Sequence, residues 1–518
     1  MIKTKYLDKC LILAFLIIIF VPAFGLFVDK DPNEIRAMFN REPFPVPHLS
    51  IKAIGRTDFK GIEYWYGDKA LFITLLSKIW SNFNYNLGVS TKFSQVIIGK
   101  NGWLFLGNFY GATLDQYAGK ALPNKEQLIL FTNAFKDVNE LAKKNNIPFL
   151  MVVAPDKHNV YPEYLPKYIQ AGAVKTVDII EKRMKQNNID FINLKHAELA
   201  AKKTMEEQYG ALYLKGDSHW NFLGAYVGYN AIAEYLAKKG IVVDNAPVKF
   251  LSNITKVTDL AGFLLLSNHV SYAPTPEVSS LALNLEGQDI NNPPQPLHQL
   301  AAAPASILSV PYEITNNAVN NNQSCLLIGD SFLVSLEVFF LRDFHKIIVV
   351  HNLNKNVNLS DLINKYHPNA IVFEIVERNL LNYANNFQAT AEKIDLKVAE
   401  NIPAAMGDLK VKMNADRLEL NGWASLEKKD AANNKIYLQL TNGEKNYIFK
   451  MSQTARDIKT ITKAIGKNPG VSGFAGNILF NDIPNGTYRA SIIVSNDKVL
   501  GKKDFAKTVV ITNSNKIA

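Results

Sequence analysis

Short apolar runs alternate with helix-like segments between about residues 95 and 380 of this 518-residue chain. Two of these runs, 148–154 and 324–328, are continuous enough to indicate strands that are buried on both faces. Strands that alternate with helices predict an α/β fold, a three-layer α/β/α arrangement in which helices cover both faces of a mostly parallel sheet. Further strands are predicted at 190–194, 346–351 and 369–376, a hairpin at 95–106, and helices at 124–145, 174–186, 198–208, 221–239, 331–341 and 359–366.

The chain divides into three predicted parts. Residues 1–29 form an apolar leader, and residues 30–400 carry the alternating pattern. Residues 406–518 contain six short alternating runs with Asn-Gly turns at 442–443 and 485–486, which predicts an all-β sandwich. The polar, Pro-rich stretch at about 265–320 is too long for a plain connection, so we interpret it as an insertion.

The leader contains a run of eighteen residues without a charge. Residues 11–28 read LILAFLIIIFVPAFGLFV, and Lys3, Lys5 and Lys9 precede them. This length fits a minimal membrane-spanning helix, and the basic flank predicts that the rest of the chain lies outside the cytoplasm. The alternative is a signal peptide that is cleaved after Ala23-Phe24-Gly25. Under both interpretations, the main part of the chain is exported from the cytoplasm.

The overall composition excludes a disordered or coiled-coil protein, since 47% of the residues are apolar and 20% are charged. The net charge is +10, and residues 401–518 hold 18 Lys/Arg against 10 Asp/Glu. This excess suits an anionic partner, although a solvated basic face is the more common cause. We expect no nucleic-acid partner, because the excess is modest and the chain is exported. Without a CxxC pair or a Cys/His cluster, a structural zinc site is not expected.

Three segments carry the polar residues that stand out against this scaffold. In GDSHW (216–220), Asp217 could hold His219 as a general base, or it could be a capping residue beside a structural histidine. In GDSF (329–332), a buried strand ends just before Ser331. Ser331 could present its Oγ at the carboxyl end of the sheet and its N–H to an oxyanion, or it could be a plain N-cap.

The third segment, APDKH (154–158), follows another buried strand and should reach the same edge of the sheet. Lys157 could serve a substrate charge or lie on the surface. His158 and His351 are rival bases, ranked below His219 because neither has an acid two residues away. A nucleophile activated by a histidine that a third group orients is the general arrangement for acyl transfer.

Five ordered blocks resemble the AlgJ/AlgX-type alginate O-acetyltransferases, a family of the SGNH-hydrolase-like group. They read VIIGKNGWLFL (96–106), VVAPDK…YPE…LP (152–166), GDSHWN (216–221), GDSF (329–332) and IVFEIVERNL (371–380). The resemblance implies an SGNH-like domain in which the D-x-H-W motif precedes the serine, the reverse of the order in ordinary SGNH hydrolases.

For the site, the resemblance implies that Ser331 is the nucleophile, His219 the general base and Asp217 the acid that orients it. It implies an acetyl-enzyme intermediate and no metal or organic cofactor. No clear G-x-N-D block supplies a second oxyanion donor beside the Ser331 N–H, so Lys157 and Arg378 are the candidates.

For the function, the resemblance implies O-acetylation of an exported polysaccharide in the periplasm, with acetyl groups delivered by a membrane-bound O-acyltransferase. A carbohydrate acetylesterase with the same triad and a non-catalytic glycan-binding or scaffold component of an export complex are the alternatives. The β-sandwich parallels a carbohydrate-binding module of some family members, although no motif matches. Its aromatic residues Trp423, Tyr437, Tyr447 and Phe474 fit glycan contacts or an ordinary core equally well.

Overall fold

The structure is a computed structural model, and it describes most of the chain from residue 94 onward. The described ranges are 94–288 (without 245, 256–257 and 267–268), 311–351, 359–380, 392–398 and 402–511 (without 414–416, 428, 455–467 and 497–498). Upstream, it describes 43–46, 56–69, 71–90 and a few positions between 9 and 20. The predicted anchor or signal peptide at 11–28 therefore lies largely outside the described residues. No helix in the described part of the chain is long and apolar enough to cross a membrane.

A seven-stranded sheet forms the centre of the first unit, in the order β4-β3-β11-β9-β10-β8-β7. Its first five strands are parallel, and β8 and β7 extend one edge in antiparallel pairing. Parallel strands that are buried on both faces are expected to be almost wholly apolar, and β3 and β11 have no exposed residue. The strands are β3 (Phe149–Ala154), β4 (Phe191–Asn193), β7 (Leu285–Gln288), β8 (Tyr312–Asn316), β9 (Ser324–Gly329), β10 (Lys346–His351) and β11 (Ala370–Val376).

Helices cover both faces of this sheet, so that two apolar clusters sandwich it. Alternate residues of β3 point to opposite faces, with Leu150 and Val152 in one cluster and Met151 and Val153 in the other. One cluster packs against α7, α8 and α10, and the other packs against α4, α6 and α11. The described helices are α1 (Arg56–Lys69), α2 (Leu71–Leu87), α3 (Thr113–Tyr117), α4 (Lys125–Lys144), α5 (Lys157–Val160), α6 (Thr176–Gln186), α7 (Lys195–Tyr209), α8 (Phe222–Lys238), α9 (Asp259–Phe263), α10 (Leu333–Asp343) and α11 (Leu359–Tyr366).

The sequence patterns predicted these elements closely. The predicted strand at 346–351 and the predicted helix at 359–366 coincide with β10 and α11. Asn221 caps α8 by accepting hydrogen bonds from the backbone N–H groups of Leu223 and Gly224. The predicted hairpin at 95–106 is present as β1 (Val96–Ile98) and β2 (Leu104–Leu106), paired antiparallel.

The stretch at about 265–320 does not lie wholly apart from the sheet. Within it, β6 (Ser271–Pro276) pairs with β5 (Phe250–Thr255) in a separate hairpin. Strands β7 and β8 belong to the main sheet, where their backbone groups pair with each other and with β10. Short strands at an edge are difficult to recognise in a polar, Pro-rich segment, because edge positions tolerate polar residues.

The C-terminal unit is an antiparallel β structure, as predicted. Seven strands follow the order β13-β14-β17-β16-β15-β18-β19, and β12 pairs with β16 beside them. The end strands β13 and β19 contact each other, so the sheet curls around one apolar cluster. The strands are β12 (Glu392–Ile394), β13 (Met406–Met413), β14 (Arg417–Ser425), β15 (Lys435–Thr441), β16 (Asn446–Thr454), β17 (Gly473–Leu479), β18 (Gly486–Asn496) and β19 (Val499–Ile511).

This unit packs against α4 of the first unit. Lys450 Nζ lies 2.6 Å from a carboxylate oxygen of Asp137 on α4. Trp423 is partly buried against the cluster that contains α4, whereas Phe474 and Tyr437 are buried within the C-terminal unit. Core and interface packing therefore account for these three aromatic residues.

Candidate active site

The loop that carries Asp217 and His219 lies between two fixed points. An isolated antiparallel bridge joins Tyr213 to Trp220, and the Asn221 cap starts α8 immediately afterwards. The Trp220 indole is 2% exposed, and its Nε1–H donates to the carbonyl of Phe332 at 3.0 Å. Trp220 thus joins the loop directly to the turn that contains Ser331.

Ser331 lies in a turn after β9 rather than on the helix that the sequence predicted from 331. Helix α10 begins two residues later, at Leu333. Asp330 shapes this turn, since its side chain accepts hydrogen bonds from the backbone N–H groups of Phe332 and Val376 and from the Asn379 amide. In the described part of the chain, the Ser331 N–H donates to no backbone or side-chain acceptor. The side chain of Ser331 is exposed.

Ser331, His219 and Asp217 form one hydrogen-bonded chain. The Ser331 hydroxyl lies 2.7 Å from His219 Nε2, and His219 Nδ1 lies 2.7 Å from Asp217 Oδ1. A carboxylate accepts only, so Nδ1 carries the proton and Nε2 accepts from the serine hydroxyl. The backbone N–H of His219 also donates to Asp217 Oδ1, at 3.0 Å. Two loops that are 112 residues apart in sequence thus meet in the geometry of a nucleophile, a base and an orienting acid.

A third carboxylate, Asp259, adjoins this chain, and no motif in the sequence pointed to it. Its backbone N–H, at the start of α9, donates to Asp217 Oδ2, and its own carboxylate accepts from the N–H and hydroxyl of Ser218. Asp259 Oδ2 is 3.7 Å from His219 Nδ1. Asp217, His219 and Asp259 are close enough to share a metal ion, but hydrogen bonds within the site account for their facing atoms.

The charges around His219 determine its proton affinity. Burial alone would lower the pKa of His219, but the hydrogen bond to Asp217 and the charges of Asp217 and Asp259 outweigh burial and raise that pKa. Burial would raise the pKa of Asp217, but the hydrogen bond and charge of His219 hold it well below its usual range. Burial and the charge of Asp217 raise the pKa of Asp259 to about 6. The ionised Asp217 therefore favours a basic imidazole.

Lys157 does not face the site as the sequence suggested. The side chain is 2% exposed, and Nζ donates to the carbonyls of Leu214, Lys215 and Asp217 at 3.0, 3.1 and 2.5 Å. An ammonium has three protons, and all three are used here, so none remains for an oxyanion. Burial lowers the pKa of Lys157 to about 7, against the charges of Asp217 and Asp259. Lys157 therefore supports the Asp217 loop from within.

The remaining candidates are buried and do not contact Ser331 by hydrogen bonds in the described part of the chain. Arg378 Nη1 donates to Asp156 at 2.5 Å, and its guanidinium lies 5.0 Å from the centre of the Phe332 ring. Buried His158 hydrogen-bonds to the Leu106 carbonyl at 2.9 Å, and burial lowers the pKa of His158 to about 3. His351 is 3% exposed, and burial lowers its pKa too. None of these three side chains hydrogen-bonds Ser331 among the described residues.

Comparison with known proteins relates this fold and site to other chains. The family described as "SGNH hydrolase-like domain, acetyltransferase AlgX" matches residues 96–288, which include Asp217 and His219 but end before Ser331. "Probable alginate O-acetylase AlgJ" of Pseudomonas putida is 23% identical over 212 residues, covering 40% of this chain and 51% of that protein. The protein of the same name from Pseudomonas aeruginosa is 26% identical over 151 residues, covering 29% and 34%. The chain spans about half the length of the first of these relatives.

Among the solved structures that align with the chain are those of Bacillus cereus PatB1 and Pseudomonas aeruginosa AlgX. Bacillus cereus PatB1 is 18% identical, with a TM-score of 0.40, and covers 54% of this chain and 95% of its own. Pseudomonas aeruginosa AlgX is 14% identical, with a TM-score of 0.36, and covers 80% of this chain and 90% of its own.

The family match and the α/β/α layers define an SGNH hydrolase-like domain that is followed by a C-terminal β unit. The chain is therefore similar to AlgJ/AlgX-type proteins, as the five sequence blocks predicted.

Proposed function

We propose that the chain is an exported O-acetyltransferase that moves acetyl groups onto hydroxyls of a polysaccharide through an acetyl-enzyme at Ser331. The hydrogen-bonded chain from Ser331 Oγ through His219 to Asp217 is the observation that carries this proposal. The names of the curated relatives, which are probable alginate O-acetylases, support alginate or a similar polymer as the acceptor.

In the first half-reaction, Ser331 Oγ attacks the carbonyl carbon of an acetyl donor while His219 Nε2 takes the hydroxyl proton. Asp217 stabilises the imidazolium and keeps the ring oriented. The negative charge on the tetrahedral oxygen falls near the backbone N–H of Ser331, a preorganised donor. The C–O bond to the leaving group then breaks, and His219 returns the proton to it. An acetyl ester on Ser331 remains.

The second half-reaction reverses these roles with a sugar hydroxyl as the nucleophile. His219 Nε2 removes the proton of the hydroxyl as its oxygen attacks the acetyl carbon. When the bond to Ser331 Oγ breaks, His219 returns the proton to the serine. The acetyl group is then on the sugar oxygen, the proton of the sugar hydroxyl is on Ser331 Oγ, and the enzyme is regenerated.

The cellular setting belongs to the same proposal. The uncharged run at 11–28, with its basic flank, supports a periplasmic protein anchored in the inner membrane, and a cleaved signal peptide gives a soluble periplasmic form. A membrane-bound O-acyltransferase is the proposed acetyl source, and the basic C-terminal unit is proposed to hold an anionic glycan.

Acetylesterase activity is a second candidate, because the exposed side chain of Ser331 can be reached by water as well as by a sugar. The two activities differ only in the acceptor of the acetyl group.

The deciding experiment supplies p-nitrophenyl acetate to the protein with and without deacetylated alginate oligosaccharides. Acetyl esters on the oligosaccharide, detected by mass spectrometry, are the expected result. Release of p-nitrophenol with acetate alone would establish the esterase instead. No turnover of the ester under any condition would contradict both activities.

Lys157→Met tests the buried support of the catalytic loop. Methionine keeps a similar length but leaves three carbonyls without their donor, and each unpaired buried group costs about 1–3 kcal/mol. Part of this cost is offset because methionine, unlike lysine, buries no charge. We expect a net loss of about 1–3 kcal/mol in the free energy of unfolding. We also expect kcat to fall by roughly ten- to a hundredfold in the folded protein, because misplacement of the Asp217 loop disturbs the reacting geometry.

Lys202→Met is the matched control. Lys202 Nζ also donates to a carbonyl, that of Val160 at 2.7 Å, and to Glu163, but it does not hydrogen-bond the Asp217 loop. Urea unfolding and ester turnover are measured for both variants. Equal losses of kcat in the two would show that Lys157 acts on general stability rather than on the loop.

A further inference from the structure

Three aromatic side chains meet where the loop after β2 approaches α9. The Phe109 ring packs edge-on against Tyr110, with the ring centres 4.8 Å apart, and Tyr110 stacks on Phe263 at 6.0 Å and 16°. We call these three residues the aromatic group. Phe109 is 63% exposed, so a large apolar ring faces solvent at one end of an otherwise partly buried stack.

One side of the aromatic group is fixed to the loop that holds the base. Phe263 is the last residue of α9, and Asp259 is the first. The N–H of Asp259 donates to the Asp217 carboxylate, and the N–H of Ala261 donates to the carbonyl of Gly216 at 3.0 Å. The short helix is thus hydrogen-bonded along its length to the segment that carries Asp217 and His219.

The other side is fixed to the segment behind the nucleophile. The amide of Gln116 donates to the carbonyls of both Gly111 and Arg378, at 2.6 and 2.8 Å. The guanidinium of Arg378 in turn lies over the ring of Phe332, the residue after Ser331. The aromatic group is therefore connected through α9 to the segment that supplies His219, and through the neighbouring Gly111 to Arg378 behind Ser331.

The backbone beside Phe109 is held in a demanding conformation. Gly111 and Ala112 both have left-handed backbone, with φ of 61° and 51°, which is unfavourable for alanine. A Cβ at Gly111 would lie 2.5 Å from the Arg378 carbonyl oxygen, so only glycine allows this close approach. Such backbone is retained where the surroundings enforce it, and it is common at ligand-binding sites.

We propose that the aromatic group, with Phe109 as its exposed face, is a stacking subsite for a pyranose ring of the acceptor polysaccharide. The C–H bonds on one face of a pyranose carry partial positive charge and match the negative face of an aromatic ring. A rigid aromatic ring loses little conformational entropy on binding, so a pyranose stacked on it would be held in one orientation relative to the acetyl-enzyme. This inference rests on the proposed acetyltransferase function.

The test is isothermal titration calorimetry of an alginate hexasaccharide with the full-length Ser331→Ala protein, in which no acetyl transfer takes place. Adding Phe109→Ala is expected to raise Kd by roughly three- to tenfold, the value of one aromatic contact. Phe109→Leu keeps apolar area without the π face and should weaken binding nearly as much, whereas Phe109→Tyr should bind like the parent.

Phe83→Ala is the matched control, because Phe83 on α2 is also an exposed phenylalanine, at 56%, that stacks on a neighbouring aromatic ring, Trp80, at 6.2 Å. Among the described residues, no hydrogen bond joins α2 to the Asp217 segment. Phe83→Ala should leave Kd unchanged. No binding to the Ser331→Ala protein, a Kd indifferent to Phe109→Ala, or a leucine variant that binds like the parent would overturn the subsite. Turnover of p-nitrophenyl acetate by proteins with Ser331 intact is measured in parallel. If the protein with Ser331 and Phe109 both intact does not turn over p-nitrophenyl acetate, the proposed function is contradicted. The calorimetry on the Ser331→Ala protein tests the subsite independently of that result.

Discussion

Replacing Ser331 by alanine is expected to abolish the covalent acetyl-enzyme and to lower ester turnover by about five to six orders of magnitude. In the proposed mechanism the Ser331 hydroxyl attacks the acetyl carbon, and the alanine side chain supplies no substitute. The fold should be unaffected, because the Ser331 side chain is exposed and its described hydrogen bond is the one to His219. Intact-protein mass spectrometry after incubation with p-nitrophenyl acetate should show an acetyl-sized increase in the native protein and none in the variant.

Ser218→Ala provides the control for this experiment. Ser218 lies beside His219 in sequence and also carries a hydroxyl in the site, but that hydroxyl donates to Asp259. Its removal should leave acetylation in place. Acetylation that persists in Ser331→Ala, or that disappears in Ser218→Ala alone, would remove Ser331 from the mechanism.

The local parts of the site could be predicted from the sequence. Asp217 and His219 are two residues apart, and Ser331 follows a strand that the apolar run at 324–328 already indicated. Strand ends in a parallel sheet meet at one edge, which places the GDSF segment there. The GDSHW segment was also expected at a strand end, but it lies in the loop between α7 and α8, and only the folded structure brings it to Ser331. The structure adds the distances that make them one hydrogen-bonded chain.

The supporting residues could not be predicted, because their roles depend on contacts between distant loops. Asp259 lies about forty residues after His219 in a segment with no recognisable pattern, and only the docking of α9 brings it to the site. Lys157 resembled a residue that contacts substrate, since it follows a strand at the correct edge. Its side chain turns into the protein instead, where three loop carbonyls need a donor. A buried lysine with full hydrogen bonding cannot be distinguished from an exposed one by sequence alone.

The strands of the sheet likewise divide into those that local sequence predicted and those that depend on distant contacts. Strands β3, β9, β10 and β11 are buried on both faces, and their apolar runs predicted them. Strands β7 and β8 are short and extend one edge of the sheet, and only the pairing of β8 with β10 and of β7 with β8 defines them. The polar composition of residues 265–320 therefore could not show whether they form an insertion or strands at the edge of the sheet.

Asp217→Asn is expected to lower kcat by about three to four orders of magnitude while leaving the fold intact. Asp217 Oδ1 accepts from the His219 backbone N–H as well as from Nδ1, and Oδ2 accepts from the Asp259 N–H. An asparagine has one oxygen for these donors. If its oxygen takes the Oδ2 position and keeps the hydrogen bond from the Asp259 N–H, its NH₂ takes the Oδ1 position, faces Nδ1 and places the imidazole proton on Nε2. That tautomer cannot accept the proton of Ser331.

The same substitution should shift the pH profile. The proposed mechanism requires neutral His219, so kcat/KM should rise as pH increases through the pKa of this residue in the free enzyme. Asp217 raises that pKa by its hydrogen bond and charge, whereas burial lowers it. With asparagine the lowering effect of burial remains, and the midpoint of the profile should move to lower pH. Asp259→Asn removes only a weaker, more distant charge, so it should cause a smaller shift in the same direction with little loss of kcat. A midpoint that stays in place in Asp217→Asn would mean that Asp217 does not control the proton on His219, and the orienting role would then have to be assigned to Asp259.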